Sequence, residues 1–257
     1  MTGTDRIKGK LTVITGATSG IGKATAILFA RYGSNLVLTG RRKEKLEELK
    51  SFLDQNYKVR SEIYSFDITD RNACKTFVES LKNPVDILVN NAGLASGKDP
   101  VYDADFSDWD KMIDTNIKGL LNVTRFVVED MRKRDTGHII NIGSTAGFET
   151  YAGGSVYCAT KHAVRALTQS MKKDFHGLNI RVSAVSPGLV ETEFSNVRFH
   201  GDNQKADEVY RNMTPLTPED VAEIILFTAT RPPHVNILDT IAVPLDQSSS
   251  TMVHRSE

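Results

Sequence analysis

The feature that most narrows the fold is an alternation of short apolar runs with segments of helical periodicity. The runs are LTVIT (11–15), NLVLT (35–39), EIYSF (62–66), DILVN (86–90), HIINIG (138–143), IRVSAVS (180–186) and a last one over about 236–243. Between them, helices are expected over about Gly20–Tyr32, from the charged stretch after 40 to about Leu53, and over Asp70–Leu81, Asp108–Arg132 with a bend near Gly119, Val156–Phe175 and Pro218–Thr230. Near-continuous apolar strands spaced by helices fit a parallel sheet covered on both faces. Right-handed crossovers make such a sheet doubly wound. No repeat, low-complexity linker or shift of composition interrupts the pattern. Residues 1–257 are therefore expected to form one α/β domain, irregular over about 187–216. A polar tail over about 247–257 is either unstructured or docked on a neighbour.

Charge excludes whole classes of partner. Thirty-two Lys and Arg balance thirty-two Asp and Glu, so no net field draws in nucleic acid or an anionic membrane. No run of about 18 apolar residues occurs, and MTGTDRIKGK has no apolar signal core. A soluble cytoplasmic protein is the expectation. Cys74 and Cys158 lack metal-ligand spacing, so they are expected to be buried free thiols, and no metal is expected.

TGATSGIG (15–22) sits between the first strand and the first helix. Gly16, Gly20 and Gly22 let the backbone turn tightly and approach a pyrophosphate, while the helix start offers unpaired N–H groups. The spacing is G-x-x-x-G-x-G, and glycine also serves ordinary tight turns. In the first βα unit of a doubly wound fold, dinucleotide binding is the favoured reading, by Gly16, Thr18, Ser19, Gly20, Ile21 and Gly22. The second strand indicates which dinucleotide. An acid for the ribose 2′-hydroxyl would usually close it, but here TGRRKEK puts Arg41 and Arg42 there. Guanidinium matches a 2′-phosphate, which selects NADP over NAD. The plainer alternative, a solvated helix start, sits poorly with two cations at the positive end of a helix dipole.

In VYCATKHAV, Tyr157 and Lys161 share one helix face. An ammonium beside a phenol is expected to lower the tyrosine pKa and make it a proton donor and acceptor near neutral pH. Alone, the pair better fits a partly buried Tyr beside a snorkelling Lys. Ser144 changes the balance, because it follows HIINIG at the carboxyl end of a strand, where open α/β sheets bind ligands. Its hydroxyl can hydrogen-bond a substrate carbonyl. Asn116, in DTNIKG, can hold a water linking the lysine to solvent.

TGATSGIG, NNAG (90–93), Asn116, Ser144, YCATK (157–161) and SPGLVET (186–192) together resemble the short-chain dehydrogenase/reductase family, from about Lys8 to Pro244. The resemblance implies a single-domain Rossmann-like fold with a seven-stranded parallel sheet in order 3-2-1-4-5-6-7. It implies Asn116, Ser144, Tyr157 and Lys161 as the catalytic tetrad. Asp67 and Ile68 would flank adenine, and Asn91, within the Asn91–Ala92–Gly93 segment, would support the sheet and contact ribose. Tyr157 and Lys161 would meet the nicotinamide ribose, and Pro187, Gly188, Val190 and Thr192 the carboxamide. Such proteins are usually homotetramers paired through the helices after the fourth and fifth strands. The stripe Val164, Leu167 and Met171 is either core or interface.

NNAGLASG, INIGSTAG, PGLVETEFSNVRFHGD, LTPEDVAE and PPHVNI are similar to the NADP-dependent 3-hydroxy acid dehydrogenases within that family. That group includes serine or L-allo-threonine dehydrogenases and malonic semialdehyde reductases. The implied substrate is a small 3-hydroxy acid, whose carboxylate needs a cationic partner. Arg198 is the first candidate and His200 the second, while His138 and His162 suit structural roles. Two alternatives stay open: a reductase of another carbonyl substrate, such as a 3-oxoacyl thioester or a sugar, and an NADPH-binding protein without turnover.

Overall fold

A computed structural model describes residues 3–256. Seven strands are joined in one all-parallel sheet: β1 (Leu11–Thr15), β2 (Asn35–Gly40), β3 (Ser61–Ser65), β4 (Ile87–Asn90), β5 (Gly137–Ile142), β6 (Ile180–Pro187) and β7 (Asp239–Ala242). Their order is β3-β2-β1-β4-β5-β6-β7, as the resemblance implied. The register sets Val13 beside both Val37 and Leu88, and Asn90 beside Asn141.

The alternation of strand side chains divides the apolar residues between two cores. On one face Ile14, Leu38 and Ile140 pack with Phe29 of α1 (Gly20–Arg31), Leu46, Leu49 and Leu53 of α2 (Lys43–Asn56), and residues 221–229. On the other, Val13, Val37 and Ile139 pack with Phe77 of α3 (Arg71–Ser80) and with residues of the helices after β4 and β5. Each completely buried Leu or Phe contributes roughly 1.5–3 kcal/mol. The sheet is thereby held rigidly under whatever its carboxyl edge carries.

Three stretches depart from expectation. The helix expected over Asp108–Arg132 is α4 (Phe106–Ile113), a π-helical turn (Asp114–Gly119) and α5 (Leu120–Arg134). The widened turn falls on Asn116, and such turns often mark functional sites. The stretch 187–216 carries two short helices, α7 (Phe194–Arg198) and α8 (Asn203–Glu208), the latter capped where Asp202 accepts from the Lys205 N–H. Helices of five and six residues are too short to print a periodicity. The tail folds onto its own chain: Gln247 is buried, and Arg255 donates to the Arg211 and Val209 carbonyls. Of the stripe on α6 (Ser155–Asp174), Val164 and Met171 are buried and Leu167 packs against the same core, so it is core. The last helix is α9 (Pro218–Ala229), started by a Thr217–Asp220 capping box. Cys74 and Cys158 are buried and free. No helix among the described residues is long and apolar enough to cross a membrane.

Candidate active site

A cleft of about 1270 Å³ opens along the carboxyl edge of the sheet. At one end lies the turn between β1 and α1. Gly16 has φ +66°, and a Cβ there would stand 2.8 Å from Ala92 Cα. A Cβ on Gly22 would stand 2.4 Å from the Gly16 carbonyl oxygen, so that glycine is needed for packing beneath the turn. Asn91, just past the end of β4, fixes the same turn, its amide donating to the Thr15 and Gly16 carbonyls at 2.9 and 3.0 Å. Gly16, Thr18, Ser19, Gly20, Ile21, Asn91, Ala92 and Gly93 line the cleft, whereas Gly22 lies under it. Backbone close to a ligand and a helix start aimed into the space make a cradle suited to phosphate.

The two arginines divide. Arg42 donates to Thr18 Oγ1 at 3.2 and 2.8 Å, to Ser19 Oγ at 2.7 Å and to Glu193 at 2.7 Å, so its fork is fixed over the turn. Arg41 is two-thirds exposed and pairs with Asp67 at 3.5 Å. Both line the cleft with Asp67 and Ile68. Glu193 also pairs with Lys45 at 3.0 Å, and hydrogen bonds from Arg42 and Lys45 hold its carboxyl down to about 2.

In the middle of the cleft, α6 presents Tyr157 and Lys161, both buried. The Lys161 ammonium donates to the Ile142 carbonyl at 2.9 Å and lies 5.9 Å from the centre of the Tyr157 ring. Burial lowers Lys161 to about 8. Burial likewise raises Tyr157, against the lowering effects of a hydrogen bond with Ser144 and of the Arg198 charge. This corrects the expected direction: taking a phenolate out of water costs more than the Ser144 hydrogen bond and the Arg198 charge return. Ser144 caps the turn after β5, accepting from the Ala146 N–H at 3.1 Å. Asn116 does not line the cleft. Its side chain accepts from Leu94 N–H at 2.9 Å and donates to Leu94 O and Thr160 Oγ1 at 2.8 and 3.1 Å. With its amide so engaged, Asn116 holds the loop after β4 against α6.

Over the cleft lies the stretch with α7. Pro187, Gly188, Val190 and Thr192 line it. Phe194 meets the Tyr157 ring edge-on at 5.7 Å between centroids. The Arg198 guanidinium stands 5.7 Å from the Tyr157 ring centre and 5.4 Å from that of Tyr151. Arg198 Nε donates to the Gly97 carbonyl at 3.3 Å, but Nη2 is buried with no partner. His200 lies outside the cleft and pairs with Asp108 at 3.0 Å, which removes it as a partner for an acid group. His138 is buried against Ser183, and His162 bonds the Cys158 carbonyl, so both are structural as expected.

Sequence reasoning missed Glu193, Tyr151 and Lys98. Nothing local marks Glu193, since its partner Arg42 is 151 positions away. Tyr151 had a signal in the glycines that follow it: a Cβ on Gly154 would strike its ring at 2.3 Å. Lys98 follows Gly97 (φ +71°) in the loop after β4 and reads as a plain surface lysine.

The model of the short chain dehydrogenase family matches residues 10–203. A Schizosaccharomyces pombe protein named NADP-dependent 3-hydroxy acid dehydrogenase is 45% identical, over 98% of this chain and 99% of its own. Sulfoacetaldehyde reductase 2 of Chromohalobacter salexigens is 45% identical, over 93% of this chain and 96% of its own. Among solved structures, the closed form of serine dehydrogenase complexed with NADP+ is 46% identical with a TM-score of 0.90, covering 96% of this chain and 100% of that one.

Proposed function

The chain belongs to the short chain dehydrogenase family, and on that premise we propose an NADP-dependent oxidoreductase. It interconverts a small 3-hydroxy acid of the serine, allo-threonine, 3-hydroxypropionate or 3-hydroxyisobutyrate type with its 3-oxo form. The observation that carries this reading is Arg198. A guanidinium centred 5.7 Å from a buried tyrosine ring, with its Nη2 buried and unpartnered, is a place for an acid group beside a reacting hydroxyl. The name and near full-length identity of the S. pombe relative support the same substrate class.

The cradle fits NADP: the turn of Gly16, Thr18, Ser19, Gly20, Ile21 and Gly22 suits the pyrophosphate, and Arg42 with Arg41 suits the 2′-phosphate. Asp67, Ile68, Asn91, Ala92 and Gly93 would continue the site along the edge, with Pro187, Gly188, Val190 and Thr192 over its far end. When bound, NADP(H) supplies or accepts the hydride. Tyr157 gives a proton to the carbonyl oxygen in reduction and takes one from the hydroxyl in oxidation. Ser144 donates a hydrogen bond to that same oxygen. Lys161 holds positive charge behind the tyrosine, and Asn116 ties the loop at Leu94 to Thr160 of α6. Arg198 holds the carboxylate.

Oxidation of serine, 3-hydroxypropionate and 1,3-propanediol with NADP+ and NAD+ tests both parts. The acids with NADP+ are expected to be fastest, and Arg198→Gln to lower kcat/KM for acids relative to the diol. Equal rates for acids and diol, or preference for NAD+, contradict the reading. A hydroxyalkyl sulfonate is the second candidate substrate, supported by the name of the Chromohalobacter relative. A cytoplasmic homotetramer completes the proposal. The exposed Phe106 of α4 and Ile241, Val243 and Leu245 at the β7 edge support assembly. Light scattering at micromolar concentration tests it, with a monomer as the contrary result.

A further inference from the structure

Arg198 is not the only cation in the acid pocket. Lys98, from the loop after β4, lines the same cleft. Among the described residues no carboxylate lies within ion-pair distance of either side chain. The two are held near one another by backbone. The Gly97 N–H donates to the Arg198 carbonyl at 2.9 Å, while Arg198 Nε returns a bond to the Gly97 carbonyl at 3.3 Å. A Cβ on Gly153 would stand 2.2 Å from the Lys98 carbonyl oxygen, so the loop bearing Tyr151 fixes Lys98 from its other side. Burial and the Arg198 charge lower the Lys98 pKa, which marks the pair as mutually repelling. Two like charges brought together without an acid between them are unfavourable unless an anion joins them.

We propose that Lys98 is a second anion-binding residue of the substrate pocket, and that with Arg198 it fits the pocket to an acid group with three oxygens, such as a sulfonate. This rests on the reading of Arg198 as the acid-binding residue. The physical ground is shape. A guanidinium fork lies in one plane and satisfies both oxygens of a planar carboxylate by itself. A tetrahedral sulfonate keeps a third oxygen out of that plane, and a compact ammonium on a flexible stem can reach it. Lys98 therefore does little for 3-hydroxypropionate and more for 2-hydroxyethanesulfonate.

The test measures kcat/KM with NADP+ for 2-hydroxyethanesulfonate, 3-hydroxypropionate and 1,3-propanediol. The enzymes are the wild type, Lys98→Gln, Lys98→Arg and Arg198→Gln. One charge-assisted hydrogen bond corresponds to about a tenfold change or more. Lys98→Gln is expected to lower the sulfonate-to-diol ratio by about that factor and the carboxylate-to-diol ratio by much less, with recovery in Lys98→Arg. Equal losses for sulfonate and carboxylate, or none for either, overturn the role of Lys98. Failure of the Arg198 reading shows separately, as an Arg198→Gln enzyme whose ratios for both acids match the wild type.

Discussion

The Lys161 ammonium and the Tyr157 ring share one face of α6, 5.9 Å apart, yet the ammonium donates its hydrogen bond at 2.9 Å to the Ile142 carbonyl instead. Both side chains are buried, and burial acts on them in opposite directions. It favours the neutral phenol, raising Tyr157, and the neutral amine, lowering Lys161 to about 8. Near neutral pH the tyrosine therefore carries its proton, as the proposed protonation of a carbonyl oxygen requires.

The first consequence is a directional pH dependence. Reduction uses the protonated tyrosine and should be nearly flat from pH 6 to 8. Oxidation needs the tyrosine to accept a proton, so its kcat/KM should rise with pH, by up to about tenfold per unit. Steady-state rates in both directions across this range check it; an oxidation rate independent of pH is the contrary outcome.

Lys161 also affects stability. Its pKa in the fold is about 8 against an ordinary 10.5. Between those values the unfolded chain binds more protons than the folded one, so this group adds stability as pH rises through that window. Below about pH 8 the buried ammonium opposes folding by its full amount. Lys161→Met should accordingly stabilise the fold at pH 7 by about 1–3 kcal/mol, less the lost bond to Ile142, while abolishing turnover. The gain should vanish above about pH 10.5. Urea unfolding of both proteins at pH 7 and near pH 10.5 measures it.

Arg42 is fixed over the glycine turn and, in the proposed function, would face the 2′-phosphate, whereas Arg41 is largely exposed and tied to Asp67. Arg42→Ala should therefore lower kcat/KM for NADP+ by about 10–100-fold and that for NAD+ far less. Arg41→Ala should shift the ratio less. Cofactor titrations with serine at saturation decide between them; equal losses for both cofactors would leave Arg42 a merely structural residue.

How much of this was legible in the residues follows from how local each signal is. The strands were readable because burial on both faces makes runs such as LTVIT or IRVSAVS mostly apolar or β-branched and nearly free of charge. The turn was readable because its glycines answer a backbone demand within eight residues. The π-helical turn at Asn116 was readable only as the bend expected near Gly119, since the weak helix formers of DTNIKG signal a break without its type. The partnership of Glu193 with Arg42 was not readable, nor was the meeting of Lys98 with Arg198, because the fold alone brings them together. The Tyr157–Lys161 electrostatics had the wrong sign for a related reason: four positions on a helix give proximity but not the depth of burial, and here burial decides.

The most direct test is Tyr157→Phe, which removes one oxygen from a buried ring and leaves its packing against Phe194. With NADPH binding followed by nicotinamide fluorescence, and turnover with NADP+ by absorbance on serine or 3-hydroxypropionate, the variant is expected to bind the cofactor. Turnover should fall by at least about 10²-fold, the scale seen when one transition-state hydrogen-bond donor is removed. A variant that binds NADPH and turns over at close to the normal rate would contradict the assignment of Tyr157 as the acid and base.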